Sequence, residues 1–125
     1  MPVTYRIHDD VGELLFEGEF PLEDVFKAFH DMLGDPACPE KIRILLDVRK
    51  SAMLATRPTD EIIRVAEYVG PYKDRVLRCA VLASSDVHFG LGRMGAVYSE
   101  AKGVVTSVFR DHDEALAWLR NDTGA

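Results

Sequence analysis

Hydrophobic and polar positions change period several times along the chain, and each change marks an element. Val3, Tyr5 and Ile7 alternate with Thr4, Arg6 and His8, as in a half-buried strand. Asp9-Asp10-Val11-Gly12 reads as a turn. Leu14, Phe16, Gly18 and Phe20 then alternate with Leu15, Glu17 and Glu19, which predicts a second strand and so a hairpin. At Pro21 the period lengthens. Leu22, Val25, Phe26, Phe29, Met32 and Leu33 form one apolar stripe at helical spacing. Pro21 suits the first helical position, Glu23 and Asp24 favour the positive end of the helix dipole, and Gly34 with Pro36 ends the run. The spacing predicts a helix over 21–33.

In the second half strand and helix patterns alternate, with no sequence repeat. Ile42-Arg43-Ile44-Leu45-Leu46-Asp47-Val48 is nearly continuous apolar, the pattern of a central parallel strand covered on both faces. A loop, RKSAMLATR, is expected after it. Ile62, Ala66 and Val69 then share one face of a helix opened near Thr56 or Thr59. Val76 to Ala83 reads as another buried strand, residues 86–102 as a helix, and Val104 to Phe109 as a last strand. Asp111 followed by Glu114 has the spacing of a capping box and opens a final helix carrying Leu116, Trp118 and Leu119. The order is β-β-α-β-α-β-α-β-α. It predicts an α/β fold with a mixed, mostly parallel five-stranded sheet, in a single domain over residues 1–125.

Composition narrows the function classes. Of 125 residues, 47% are hydrophobic and 29% charged, the mix of a globular domain with a sizeable core. The net charge of −6 argues against a general nucleic-acid binder, which needs basic surface to displace counterions. No apolar run reaches the ~18 residues of a membrane span, and MPVTYRIHDD lacks the basic-then-apolar pattern of a signal peptide. A cytoplasmic location is therefore expected. Cys38 and Cys79 form no C-x-x-C pair, and His8, His30, His88 and His112 show no metal-ligand spacing. No metal or cofactor is expected.

One stretch invites a stronger claim. Gly90, Gly92 and Gly95 in HFGLGRMGAVYSE spell G-x-G-x-x-G, and Asp111 lies about twenty residues on, as in dinucleotide-binding folds. That chemistry needs the first glycine to end the strand, so that a pyrophosphate meets the helix N-terminus. Six residues intervene here, Ser85 or Asp86 already has the chemistry of an N-cap, and Val87, Leu91, Met94, Tyr98 and Ala101 run a helical stripe through the glycines. The glycines are thus expected inside a helix. His88, Gly92, Gly95 and Ser99 would share a small-residue face, open to close approach by the sheet, a partner helix or a ligand.

Ligands of open α/β sheets gather at the carboxyl ends of the parallel strands. Those ends hold Asp47, Arg49, Lys50, Ser51, Thr56 and Arg57, then Ser84, Ser85 and His88, then Arg110 and Asp111. The cations there could hold a small anion, or serve as solvated loop charge. Ser84 or Ser85, His88 and Asp47 supply the residue types of a hydrolase triad, but no G-x-S-x-G elbow accompanies them.

IRILLDVR (42–49), FGLGRM (89–94) and FRDHDEALAWL (109–119), in that order, resemble the STAS-like fold of anti-sigma-factor antagonists. They are most similar to a group of small bacterial STAS-like proteins with no assigned activity. The resemblance spans almost the whole chain. It implies a protein-interaction or regulatory module rather than an enzyme. In antagonists of that superfamily a kinase phosphorylates a serine in an Asp-Ser-Ser-Gly-like stretch at the start of the helix after the third strand. The matching place here reads Leu54-Ala55-Thr56-Arg57-Pro58-Thr59, so the motif is absent. Thr56 is the nearest hydroxyl, with Ser51 and Thr59 as fallbacks, and phosphate at a helix N-terminus would be electrostatically favoured. Thr56 also suits a plain helix cap. Related folds bind lipids or small ligands in apolar clefts. The expected partner or ligand surface comprises Asp47, Arg49, Ser51, Thr56, Arg57, Ser85, His88 and Arg93. Its occupant would be a protein, a small anionic or lipid ligand, or a second copy of the chain.

Overall fold

A computed structural model of the chain describes residues 2–51 and 59–121, the side chains of residues 59–62 excepted. The expected element order is present. Strands β1 (Val3–His8), β2 (Val11–Gly18), β3 (Ile42–Ser51), β4 (Val76–Leu82) and β5 (Thr106–Phe109) form one sheet in the order β1-β2-β3-β4-β5. β1 is antiparallel to β2, and each later pair is parallel. The helices are α1 (Leu22–Leu33), α2 (Thr59–Val69), α3 (Asp86–Ala101) and α4 (His112–Arg120), with one 3-10 turn at Gly70–Tyr72.

Alternation along each strand builds two cores. On one face, Leu14, Phe16, Ile42, Ile44, Val48, Cys79 and Val81 meet the buried stripe of α1, including Val25, Phe29 and Met32, and Val69 of α2. Tyr68 ties α2 to α1: its ring stacks on Phe26 at 4.6 Å and its hydroxyl donates to the Phe26 carbonyl at 3.2 Å. On the opposite face Val11, Leu45, Ala80 and Leu82 pack against Ala115 and Leu119 of α4. Successive parallel strands placed side by side, joined by right-handed crossovers, put their helices on one face. α4 follows the last strand and is free to take the other.

Pro21 is the N-cap of α1 rather than its first residue, and β5 begins at Thr106 rather than Val104. Three further boundaries differ from the sequence reading, each for a physical reason. The hairpin turn is only Asp9-Asp10, because Asp9 adopts a left-handed backbone at φ 56° and reverses the chain within two residues. Val11 and Gly12 therefore belong to β2. That strand ends at Gly18, at φ 64°, before Phe20. Third, β3 continues through Arg49 and Lys50 to Ser51. These polar residues read as loop, yet Lys50 and Ser51 pair with Glu17 and Gly18 of β2.

α4 is only nine residues long, and side-chain hydrogen bonds secure it at both ends. Asp111 caps it by accepting from the Glu114 backbone N–H at 2.9 Å, as the capping-box spacing predicts. At the other end Arg43 donates to the Leu119 carbonyl and Arg78 to the Trp118 carbonyl, each at 2.8 Å. Two guanidinium groups thus meet the negative end of the helix dipole. Leu119 is fully buried beneath this clasp. Leu119→Ala is expected to cost about 2–5 kcal/mol in urea unfolding, the range for emptying a packed leucine site.

Candidate functional site

An apolar recess lies on the three-helix face. An apolar cavity of about 130 Å³ opens between the sheet, α1, α2 and α3. Its floor is Leu46, Val48, Cys79 and Val81; its walls include Phe20, Phe29, Val65, Ala66 and Val69; Leu91, Gly92, Gly95 and Ser99 of α3 close it. Among the described residues, the hydroxyl side chains lining it are Ser51, Ser99 and Thr106. The Thr106 hydroxyl is spent on the Val104 carbonyl at 3.1 Å. Burial pushes the Cys79 thiol up to about 12, which makes it an inert wall rather than a nucleophile.

The three glycines of the G-x-G-x-x-G stretch lie within α3, as the stripe predicts, and they differ in environment. A Cβ at Gly92 would sit 3.2 Å from Val108 Cγ1 and 3.3 Å from Val81 Cγ1, so its absence lets α3 settle onto the sheet. Gly95 borders the cavity. Gly90 is exposed, and a Cβ there would meet nothing within 4 Å. β4 ends at Leu82 and α3 starts at Asp86, so the glycines do not make a strand-to-helix phosphate loop.

The expected surface residues divide between the two faces of the sheet. Asp47 and Arg49 share the α4 face and hold each other: Arg49 donates to both carboxylate oxygens of Asp47, at 3.0 and 2.9 Å. Between Asp47 and Lys50 the register shifts by one residue against β2. This bulge re-aims the end of β3, and Ser51, 5% exposed, borders the cavity on the opposite face. Thr56 and Arg57 lie outside the described residues. Ser85 caps α3, its hydroxyl accepting from the His88 backbone N–H at 3.0 Å. Arg93 is exposed on α3. His88 is buried, 8% exposed, and its Nδ1 has no hydrogen-bond partner. The triad residue types are not assembled, because Asp47 and His88 lie on opposite faces and Ser85 is engaged as a cap.

Periodicity and motif spacing missed one cluster. Glu13, on β2, is 3% exposed on the α4 face. Arg6 Nε donates to its Oε2 at 2.8 Å, His8 Nε2 lies 3.0 Å from the same oxygen, and His112 Nε2 lies 2.9 Å from Oε1. Burial alone would raise the Glu13 pKa. The hydrogen bonds from His112, Arg6 and His8 outweigh it and bring the pKa from 4.5 down to about 2. Against an ionised carboxylate both imidazoles present Nε2–H. The one hint in the sequence is a glutamate at the start of an otherwise apolar strand; no spacing rule links it to His112. Among the described residues no group of His, Cys, Asp and Glu is arranged to hold a metal ion, and no helix is long and apolar enough to cross a membrane.

No family model matches the chain, and no curated protein matches it either. Among solved structures, it is similar to an uncharacterised protein of the DUF3478 family with a SpoIIAA-like fold, from Shewanella loihica PV-4. The two share 16% identity, the match covers 94% of this chain and 91% of that one, and the TM-score is 0.61. The fold of this chain is therefore SpoIIAA-like, the STAS-like architecture that the sequence resembles.

The Glu13 cluster makes a signed prediction. A carboxylate whose folded pKa is depressed contributes stability that is present above its unfolded value and lost as pH falls through its folded value. For Glu13 that window runs from 4.5 down to about 2. Glu13→Gln sets an amide N–H₂ against existing donors and is expected to cost about 1–3 kcal/mol at pH 7. The gap between parent and variant should narrow as pH falls through the window, read by urea unfolding at stepped pH.

Proposed function

We propose that this SpoIIAA-like chain is a non-enzymatic binding module that takes a small apolar ligand in the cavity between α1, α2, α3 and the sheet. The cavity carries the reading. Protein interiors pack as densely as organic crystals, and voids of this size are few in a domain. An apolar cavity of roughly 150 Å³ accepts benzene, and this recess, about 130 Å³ and open on one side, is of similar size. Among the described residues its wall is apolar apart from the hydroxyls of Ser51, Ser99 and Thr106 and the Cys79 thiol. That chemistry selects shape and apolarity over charge. The placement of Asp47 on the opposite face from His88, and the use of Ser85 as a helix cap, also favour binding over hydrolysis.

A protein-interaction or regulatory role is a second reading. It is supported by the strip of sheet beside α4, where Arg6, His8 and Arg49 stay partly exposed around Glu13 and Asp47. Such a strip offers a partner a fixed array of charges that the fold has already ordered.

Toluene is the direct probe of the cavity. At one hundred times its dissociation constant it should add about 2.7 kcal/mol to stability by mass action, seen as a raised melting temperature. Ser99→Leu should fill the cavity, raise stability by about 0.5–2 kcal/mol and remove the toluene response. An unshifted parent under saturating toluene would overturn the cavity reading.

A further inference from the structure

The hydroxyls that border the cavity are not equivalent. Thr106 spends its own on the Val104 carbonyl at 3.1 Å, and Ser51, at the end of β3, is also engaged. Ser99 is half-buried on the cavity wall, and its hydroxyl makes no hydrogen bond among the described residues. Its backbone carbonyl, by contrast, accepts from the Lys102 N–H at 3.0 Å and the Val104 N–H at 2.9 Å. These bonds fix the point where α3 ends and the chain turns toward β5, so they hold the hydroxyl in one place. The surroundings also discriminate charge. Ser99 lies in the last turn of α3, where the helix dipole places partial negative charge. An anion is disfavoured there and a donated O–H is favoured. Among the described residues no Lys, Arg, His, Asp or Glu lines the cavity. A carboxylate or an ammonium would therefore lose its hydration without gaining a counter-ion. Phe16, Phe20 and Phe29 line the cavity too, and their ring faces and edges suit an aromatic body.

We propose that Ser99 is the specificity-determining contact of the cavity, and that the ligand is an uncharged phenol. The proposal rests on the cavity reading above and adds the polar end of the same molecule. The phenol O–H donates to Ser99 Oγ, and the ring is the benzene-sized body that a recess of this volume admits. A simple phenol titrates at about 10, as tyrosine does, so it enters neutral at pH 7. A hydrocarbon of the same shape would fill the space and leave the Ser99 hydroxyl without a partner.

Toluene and 4-methylphenol differ by one hydroxyl and so separate body from head. Both, with benzoate as the anionic probe, are titrated calorimetrically at pH 7 into the full-length protein and into Ser99→Ala. Alanine is the better helix former, so the variant is expected to fold. The affinity of 4-methylphenol relative to toluene is expected to fall about three- to tenfold from parent to variant, the worth of one net hydrogen bond. Toluene should bind parent and variant alike, and benzoate should bind neither. An unchanged ratio of the two affinities would overturn the Ser99 contact and leave the cavity reading standing. Benzoate binding as tightly as 4-methylphenol would overturn the uncharged ligand. Failure of toluene and 4-methylphenol alike to bind the parent would overturn the proposal and the cavity reading together.

Discussion

The handedness of β-α-β crossovers is the constraint from which the other features follow. Strands β2 to β5 are laid down in sequence order, each parallel to the last, so α1, α2 and α3 all fall on one face. Three helices of differing length must then tile a twisted five-stranded sheet. Gly92 brings α3 down onto Val81 and Val108, while α1 is held by its own stripe against β1 and β2. The tiling leaves the cavity between them. Among the described residues the other face receives one helix, α4, nine residues long, which covers β3 to β5 and leaves the hairpin side of the sheet to polar residues.

That open side explains why a buried carboxylate belongs in β2. A strip of sheet that no helix covers cannot be wholly apolar without presenting a sticky surface to water. Arg6 and His8 of β1, Asp47 and Arg49 of β3 and His112 of α4 supply the polar cover, with Glu13 at the centre. His112 opens α4, so its bond to Glu13 fixes the helix start over β2, while Arg43 and Arg78 fix its end. A short helix with few core contacts is thereby held at three points. The pairing stabilises only while the carboxylate is ionised, which the depressed pKa ensures throughout the neutral range.

Local signals were legible where the physics is local. Strand and helix periods, the Asp111 cap and the placement of the glycines inside α3 were all readable from the sequence, because each depends on neighbours within a turn or two. The end of β3 was not. Arg49 and Lys50 look like loop residues, and only their place beside the uncovered strip makes them strand residues. The bulge that sets Ser51 beside the cavity was equally hidden, since it lies in the register between two strands. Glu13 and His112 are 99 positions apart, and their contact exists only after the sheet has formed and α4 has folded back. The cavity is a remainder of packing among helices, and no residue pattern encodes a remainder.

Two buried polar side chains, one on each face, show how compensated and uncompensated burial differ. Glu13 has three hydrogen-bond partners and both oxygens engaged, so its burial is compensated within the fold and its role is to hold β1, β2 and α4 together. His88 has its backbone N–H capped and its Nδ1 bare. A leucine at that position would pack on the sheet without the uncompensated cost, so packing alone does not account for a histidine. The same helix carries Gly92 and Gly95, each of which lowers helix stability by about 0.8–1 kcal/mol against alanine. α3 thus combines three locally unfavourable choices, and two of them, Gly92 and Gly95, line the apolar cavity on the three-helix face. Local rules broken together at one place are the expected mark of a site shaped for something other than stability.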